Sequence, residues 1–234
     1  MKSTTVRKWV LHANDGIIST IGVIEGFTGA GARDNVVLFA AVAVMITGAL
    51  SLGGSELAEA AQERASELEI IEEEQRQLRL SPEQQHEKLK SHYERRGLDP
   101  DLATRVAQQL MRRDPIGAQL ETEHGIIDGP APATEPWLQA IRGVFGFVSG
   151  ALPLTLAAVF VPEDWRLAVT LAVAALSLAA TGLVSAGAAT GHPARAVLRS
   201  VGIGAFVGVL SFMAGHAVDL IDPFVPQIEI EHTG

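Results

Sequence analysis

Five glutamates, Glu56, Glu59, Glu63, Glu67 and Glu74, recur at intervals of three, four, four and seven residues, a spacing that lines them along one face of a helix. Glu69, Glu72 and Glu73 lie beside that face. Like charges so placed repel, and a purely structural helix interleaves them with bases; here only Arg64, Arg76 and Arg79 help. Carboxylates converging from neighbouring helices suit a hard or borderline divalent cation bound through oxygen, such as Mg2+, Mn2+ or Fe2+. Further acids stand on the facing segments, at Glu83, Glu87, Glu121 and Glu123, and His86 can add a nitrogen. The plainer account is a solvated acidic face, which is the better one for an acidic run taken alone. Attachment to an apolar helix and the second set of acids favour metal here.

A second feature is Asp15 in the run NDGIISTIGVIEG. A carboxylate at membrane depth costs roughly 2.5 to 3.5 kcal/mol even on insertion scales, so it usually faces a bundle interior or an aqueous path for ions or protons. Gly16 beside it gives room for a local break. The alternative is that Asp15 sits at the membrane edge, near Trp9. Glu25 follows ten residues later, about 15 Å along a helix, either as a second step of one pathway or as an interfacial acid at the far end. Met45 is a soft ligand type, although a lone Met in an apolar helix is more often packing. With no Cys, no phosphate loop and no Ser-His-Asp arrangement, the chain does not read as an enzyme, and it implies no bound cofactor.

These residues need a membrane scaffold. At 47% hydrophobic and only 5% aromatic, with mean hydropathy +0.23, the 234-residue chain is too apolar for an ordinary soluble protein. Five segments of spanning length are present: Trp9 to Ala32, Val36 to Ser55, Gly143 to Pro162, Leu167 to Gly191 and Ser200 to Val218. The basic N-terminus lacks a small-residue cleavage site and reads as the start of the first span, not as a removed signal. The expected fold is therefore an all-α membrane protein of five transmembrane helices. Three parts follow: spans 1 and 2 in residues 1–55, an acidic helical domain in 56–137, and spans 3 to 5 with a tail in 138–234.

Between Glu56 and Trp137 there are 18 acidic residues against 10 basic, so nearly all of the net charge of -9 sits in the insert. That sign excludes a nucleic-acid partner. Lys2, Arg7, Lys8, Arg195 and Arg199 fall on the side of the insert, which the positive-inside rule makes cytoplasmic, with the tail external or lumenal. Glycines one turn apart, Gly22 and Gly26, Gly146 and Gly150, Gly187 and Gly191, Gly204 and Gly208, point to close helix packing. The absence of Pro before Pro82 predicts that the second span continues unbroken into the acidic helix as far as Leu80. Beyond it, Ser81-Pro82-Glu83 and Asp99-Pro100-Asp101 start two more helices, with Gly97 as a stop, and a short segment IGAQLETEHGI precedes a loop rich in Pro and Gly. The insert's apolar residues (among them Leu68, Leu89, Leu102 and Leu110) are sparse, which calls for a partner to bury them, a second copy being the first candidate.

The DGI segment with its later GFTGAGA, the TGALSLGGSE of the second span, the glutamate-rich helix, and SPEQ…YERRGLDPDLATRVAQQLM…ETEHGI followed by three more spans resemble the vacuolar iron transporter family over nearly the whole chain. The resemblance implies a homodimer in the lipid bilayer that exports Fe2+, or a similar ion such as Mn2+ or Zn2+, from the cytosol in exchange for protons; a bacterial cell membrane is the expected location. Asp15, Glu74 and Glu123 fall on family ligand positions. Other positions depart: Leu52 and Val44 replace a methionine and a glutamate of the second span, Gln77, Gln85 and Lys88 replace glutamates, and Gln119 with Leu120 replaces a methionine pair. The candidate metal residues are thus Asp15, Glu25, Glu67, Glu74, Glu83, Glu87, Glu121 and Glu123. The competing class is a membrane-anchored acidic sensor or scaffold that moves nothing across the membrane.

Overall fold

A computed structural model describes residues 3–127, 129–188 and 192–221, and these form helices joined by turns, with no strand among them. In order they are α1 (Ser3–Gly29), α2 (Asp34–Leu80), α3 (Pro82–Arg95), α4 (Pro100–Arg113), α5 (Pro115–Gln119), a π turn (Leu120–His124), α6 (Glu135–Phe160), α7 (Glu163–Ala188) and α8 (Pro193–Ile221). The tail after Ile221, foreseen as external, falls outside the described residues. The chain divides into two compact units, Met1–Glu56 with Trp137–Gly234, and Leu57–Pro136. Helix α2, 47 residues long, runs from the first into the second, with no Pro to interrupt it.

In the first unit, α2, α6, α7 and α8 are long and apolar enough to cross a membrane. Helix α1 is long enough, but Arg7, Lys8, Asp15 and Glu25 keep it below that apolarity. Its centre is nevertheless enclosed. Ile17, Ile21 and Ile24 are fully buried against Val37 and Ala41 of α2, Leu154 and Ala158 of α6, and Ala174 and Leu178 of α7. Its polar groups are matched by other helices: the Thr181 hydroxyl of α7 donates to Asn14 Oδ1, the Thr170 hydroxyl donates to Glu25 Oε1 at 2.8 Å, and His12 Nε2 lies 3.0 Å from Glu56 Oε1. In hydrocarbon, with no water to satisfy them, such pairs are what allows a polar helix to sit inside a bundle.

Backbones approach closely where glycine permits. A Cβ on Gly150 of α6 would lie 1.9 Å from the Ala13 carbonyl oxygen of α1, and one on Gly215 of α8 would lie 1.9 Å from that of Gly26. Gly26 and Gly150, two of the glycines paired in the sequence, therefore serve packing within a single copy. Gly187 faces open space, and Gly191 lies outside the described residues. Met45 packs beside Ala49, Phe147 and Ala151, with the Thr155 hydroxyl 3.8 Å from its sulfur, which is the packing role and not a ligand role.

The second unit is built by punctuation. Pro82, Pro100 and Pro115 each occupy the first turn of a helix, and Gly97 (φ +94) and Gly125 (φ +71) take the left-handed conformation that ends one. The Asp99 and Asp114 side chains accept helix-start N–H groups, from Asp101 and Gly117. Ser81 stands at the N-cap of α3, but its side chain makes no capping bond. The core is small, Leu89, Ala107 and Ala118 with Tyr93, Leu110 and Met111 around them, while Leu102 is exposed.

Candidate metal centre

Glu74, six residues before the end of α2, is buried at 3% exposure, although Glu73 and Gln75 beside it are only half-buried. Its Oε1 lies 3.2 Å from His124 Nε2, and its Oε2 is buried with no partner. Glu123, next to His124 on the π turn, completes a group in which one ligand atom from each of the three residues lies within 4.8 Å of the others. Both residues stand on the π turn, which is closed by the Ile126 N–H bonding the Leu120 carbonyl at 3.0 Å and by Gly125 in the left-handed conformation. A cavity of about 370 Å³ opens beside Glu73, Glu74, Gln77, Lys88, Glu123 and His124.

Two carboxylates and an imidazole are the donor set of a borderline divalent ion such as Fe2+, Mn2+ or Zn2+, and a poor one for Ca2+, which prefers all-oxygen shells. Three protein donors leave coordination positions for water. An open shell suits an ion that has to leave again, whereas ions held permanently for structure are fully enclosed by protein ligands.

The remaining candidates are not gathered here. Glu67 accepts the Ala131 N–H at 3.0 Å while Arg64 Nε donates to the Ala131 carbonyl at 2.9 Å, so this pair pins the loop after the π turn. Glu83 and Glu121 are exposed, and Glu87 pairs with Lys90 at 3.0 Å. That pairing raises the Lys90 pKa above its ordinary value. Glu56, at the head of the acidic face, belongs to the first unit and is held by His12 and Lys8. The acidic face is thus divided among separate tasks, with Glu74 alone of its five members in the cluster.

Residues beside the cluster explain its limited size. Gln85 Nε2 donates to Gln77 Oε1 at 2.6 Å, Gln119 Nε2 donates to the Gln85 carbonyl at 2.7 Å, and Lys88 Nζ lies 3.3 Å from Gln77 Oε1 and 3.5 Å from Glu123 Oε2. Amides and an ammonium share their donors there, while Gln85 Oε1 and Gln119 Oε1 stay buried without a partner among the described residues. His124 was not among the residues singled out from sequence. Its only signal was its place in ETEHGI, directly after Glu123.

In the first unit, Asp15 lies within one residue of the midpoint of α1 and is exposed on the surface of the single copy. Glu25 is 1% exposed, bonded to Thr170, with Oε2 unpartnered among the described residues. Ten residues fall about 80° short of three whole helical turns, so the two acids point in different directions, one exposed and one buried.

The sequence profile of the VIT family matches residues 6–216. A vacuolar iron transporter of Acanthamoeba castellanii is 33% identical over 183 residues, which is 77% of this chain and 66% of that relative, so the chain spans just under two thirds of its length.

Proposed function

The chain belongs to the VIT family, and from that premise we propose that it exports a divalent metal ion from the cytosol in exchange for protons, Fe2+ first and Mn2+ next. The observation that carries this reading is the Glu74, Glu123 and His124 group in a chain whose other unit holds four membrane-length apolar helices. Each of the three ligands binds metal only when deprotonated, so protons and metal compete for the same atoms, and that competition is a physical basis for opposed fluxes.

On this reading α1 is the fifth span, crossing as an interior helix whose polar groups are met by α7 and by Glu56. Residues 56–137 form the cytoplasmic metal-collecting domain. Asp15, exposed at mid-helix, would be costly against lipid, and a second copy covering that face would relieve the cost. This supports a homodimer with Asp15 on the ion path. Glu25, enclosed and half satisfied by Thr170, is placed to carry a proton.

The test is Fe2+ flux into proteoliposomes with and without a pH gradient, beside Mn2+, Zn2+ and Co2+. Uptake should rise with the gradient and vanish in Asp15→Ala. Metal binding without any flux would instead mark a membrane-anchored sensor. Cells expressing the protein should tolerate excess iron, and unchanged tolerance in the Asp15→Ala strain would remove Asp15 from the path.

A further inference from the structure

Thr170 of α7 stands between several acceptors with a single hydrogen to give. Its Oγ1 lies 2.8 Å from Glu25 Oε1 of α1 and also 2.8 Å from the Arg166 carbonyl, one turn earlier on its own helix, with the Leu167 carbonyl at 3.1 Å. A hydroxyl carries one O–H and two lone pairs, so it cannot donate to all of these at once. Which of them receives the hydrogen depends on Glu25. An ionised carboxylate only accepts, and Thr170 then donates to it. A protonated carboxyl donates its own O–H to the Thr170 oxygen, and the hydroxyl hydrogen turns back to the Arg166 carbonyl. That carbonyl is not stranded in either arrangement, because the helix gives it the Thr170 N–H as well.

The rest of the surroundings offers Glu25 little else. The residue is 1% exposed, and its Oε2 has no partner among the described residues. Gly208 of α8 packs against its stem, where a Cβ would lie 3.8 Å from Glu25 Cγ. Of the charged groups on the elements around it, Asp34 of α2 and Arg166 of α7 pair with each other. Helix α8, whose Gly215 meets Gly26, carries His216, which is exposed, and Asp219, beside Gly31. Helix α6 has no charged residue between Gly143 and Pro162. An acid inside a helix bundle is tolerated where it keeps a partner, and only the hydroxyl can serve both of its charge states. We propose that Thr170 is the positioning residue for the proton on Glu25, donor to the carboxylate and acceptor from the protonated acid. The inference deepens the exchange reading, on which its use in transport rests.

Infrared spectra of the full chain in detergent are recorded from acid to alkaline buffer, and Glu25→Gln identifies the Glu25 carboxyl band by its loss. In the wild type that band should lie at the frequency of a hydrogen-bonded carboxyl and disappear in alkaline buffer. Thr170→Val, which keeps the side-chain shape and removes the hydroxyl, should move it to the frequency of a free carboxyl, and Thr170→Ser should leave it in place. Thr181→Val is the structural control. Thr181 meets the amide of Asn14, which does not titrate, so its loss should leave the Glu25 band where it is. If Thr170→Val does not fold, the frequency of the wild-type band decides. A free-carboxyl band in the wild type would overturn the proposal, as would no band lost in Glu25→Gln, no movement in Thr170→Val, or equal movement in Thr181→Val. The expected shifts in a protein that carries no Fe2+ into proteoliposomes would uphold this assignment and sink the transport reading alone.

Discussion

Glu74, at 3% exposure, is the most deeply buried acid of the α2 run, and its partnerless Oε2 costs stability unless something occupies it. Glu74→Gln and His124→Ala should each weaken Mn2+ binding to the full chain at least tenfold, about 1.4 kcal/mol, by calorimetry, while Glu83→Gln leaves it unchanged. Lys88→Glu should act in the opposite direction. It removes an ammonium 3.5 Å from Glu123 and adds a carboxylate, so Mn2+ affinity should rise by about tenfold. Glu74 and Glu123 could be found in the sequence because acids in a charged run stand out and the family resemblance marks their positions. His124 could not, because its role depends on a π turn that leaves no periodic trace in five residues.

At the scale of elements, the contact between α1 and α6 is set by backbone proximity and not by side-chain bulk. Gly150→Leu should separate the two helices and destabilise the first unit by about 1 to 3 kcal/mol, seen as a lower melting temperature in detergent. Gly187→Leu, which faces open space, is the control. On α3, burial and then the neighbouring Arg96 and Arg95 hold the His92 pKa below its ordinary 6.5. A depressed folded value means that the unfolded chain takes up the proton first. Stability is therefore intact above pH 6.5 and falls as the pH drops through the folded value, and His92→Gln should flatten that decline in thermal melts across pH 7 to 5. The helices themselves were largely readable, since Pro and Gly mark their ends and no Pro interrupts α2. The enclosure of α1 was not, because hydropathy counts Asn14 and Glu25 against a span without knowing that Thr181 and Thr170 answer them from α7.

For the whole molecule, two units of different chemistry share one helix, so Glu74→Gln in the acidic half of α2 should change ion binding without altering the melting of the membrane bundle. The pairing of α1 with α7 also has a consequence in time. Helix α1 leaves the ribosome before α7, and its Glu25 and Asn14 find their partners only when Thr170 and Thr181 are made, 145 and 167 residues later. At roughly 5 to 20 residues per second that is a wait of about seven to thirty seconds, during which the carboxylate of Glu25 and the amide of Asn14 lack the partners that α7 supplies. Nascent chains halted before α7 should show α1 accessible to a water-soluble label, and chains halted after α8 should show it protected. Helix α1, made before the other described helices, would then be among the last to settle in the membrane.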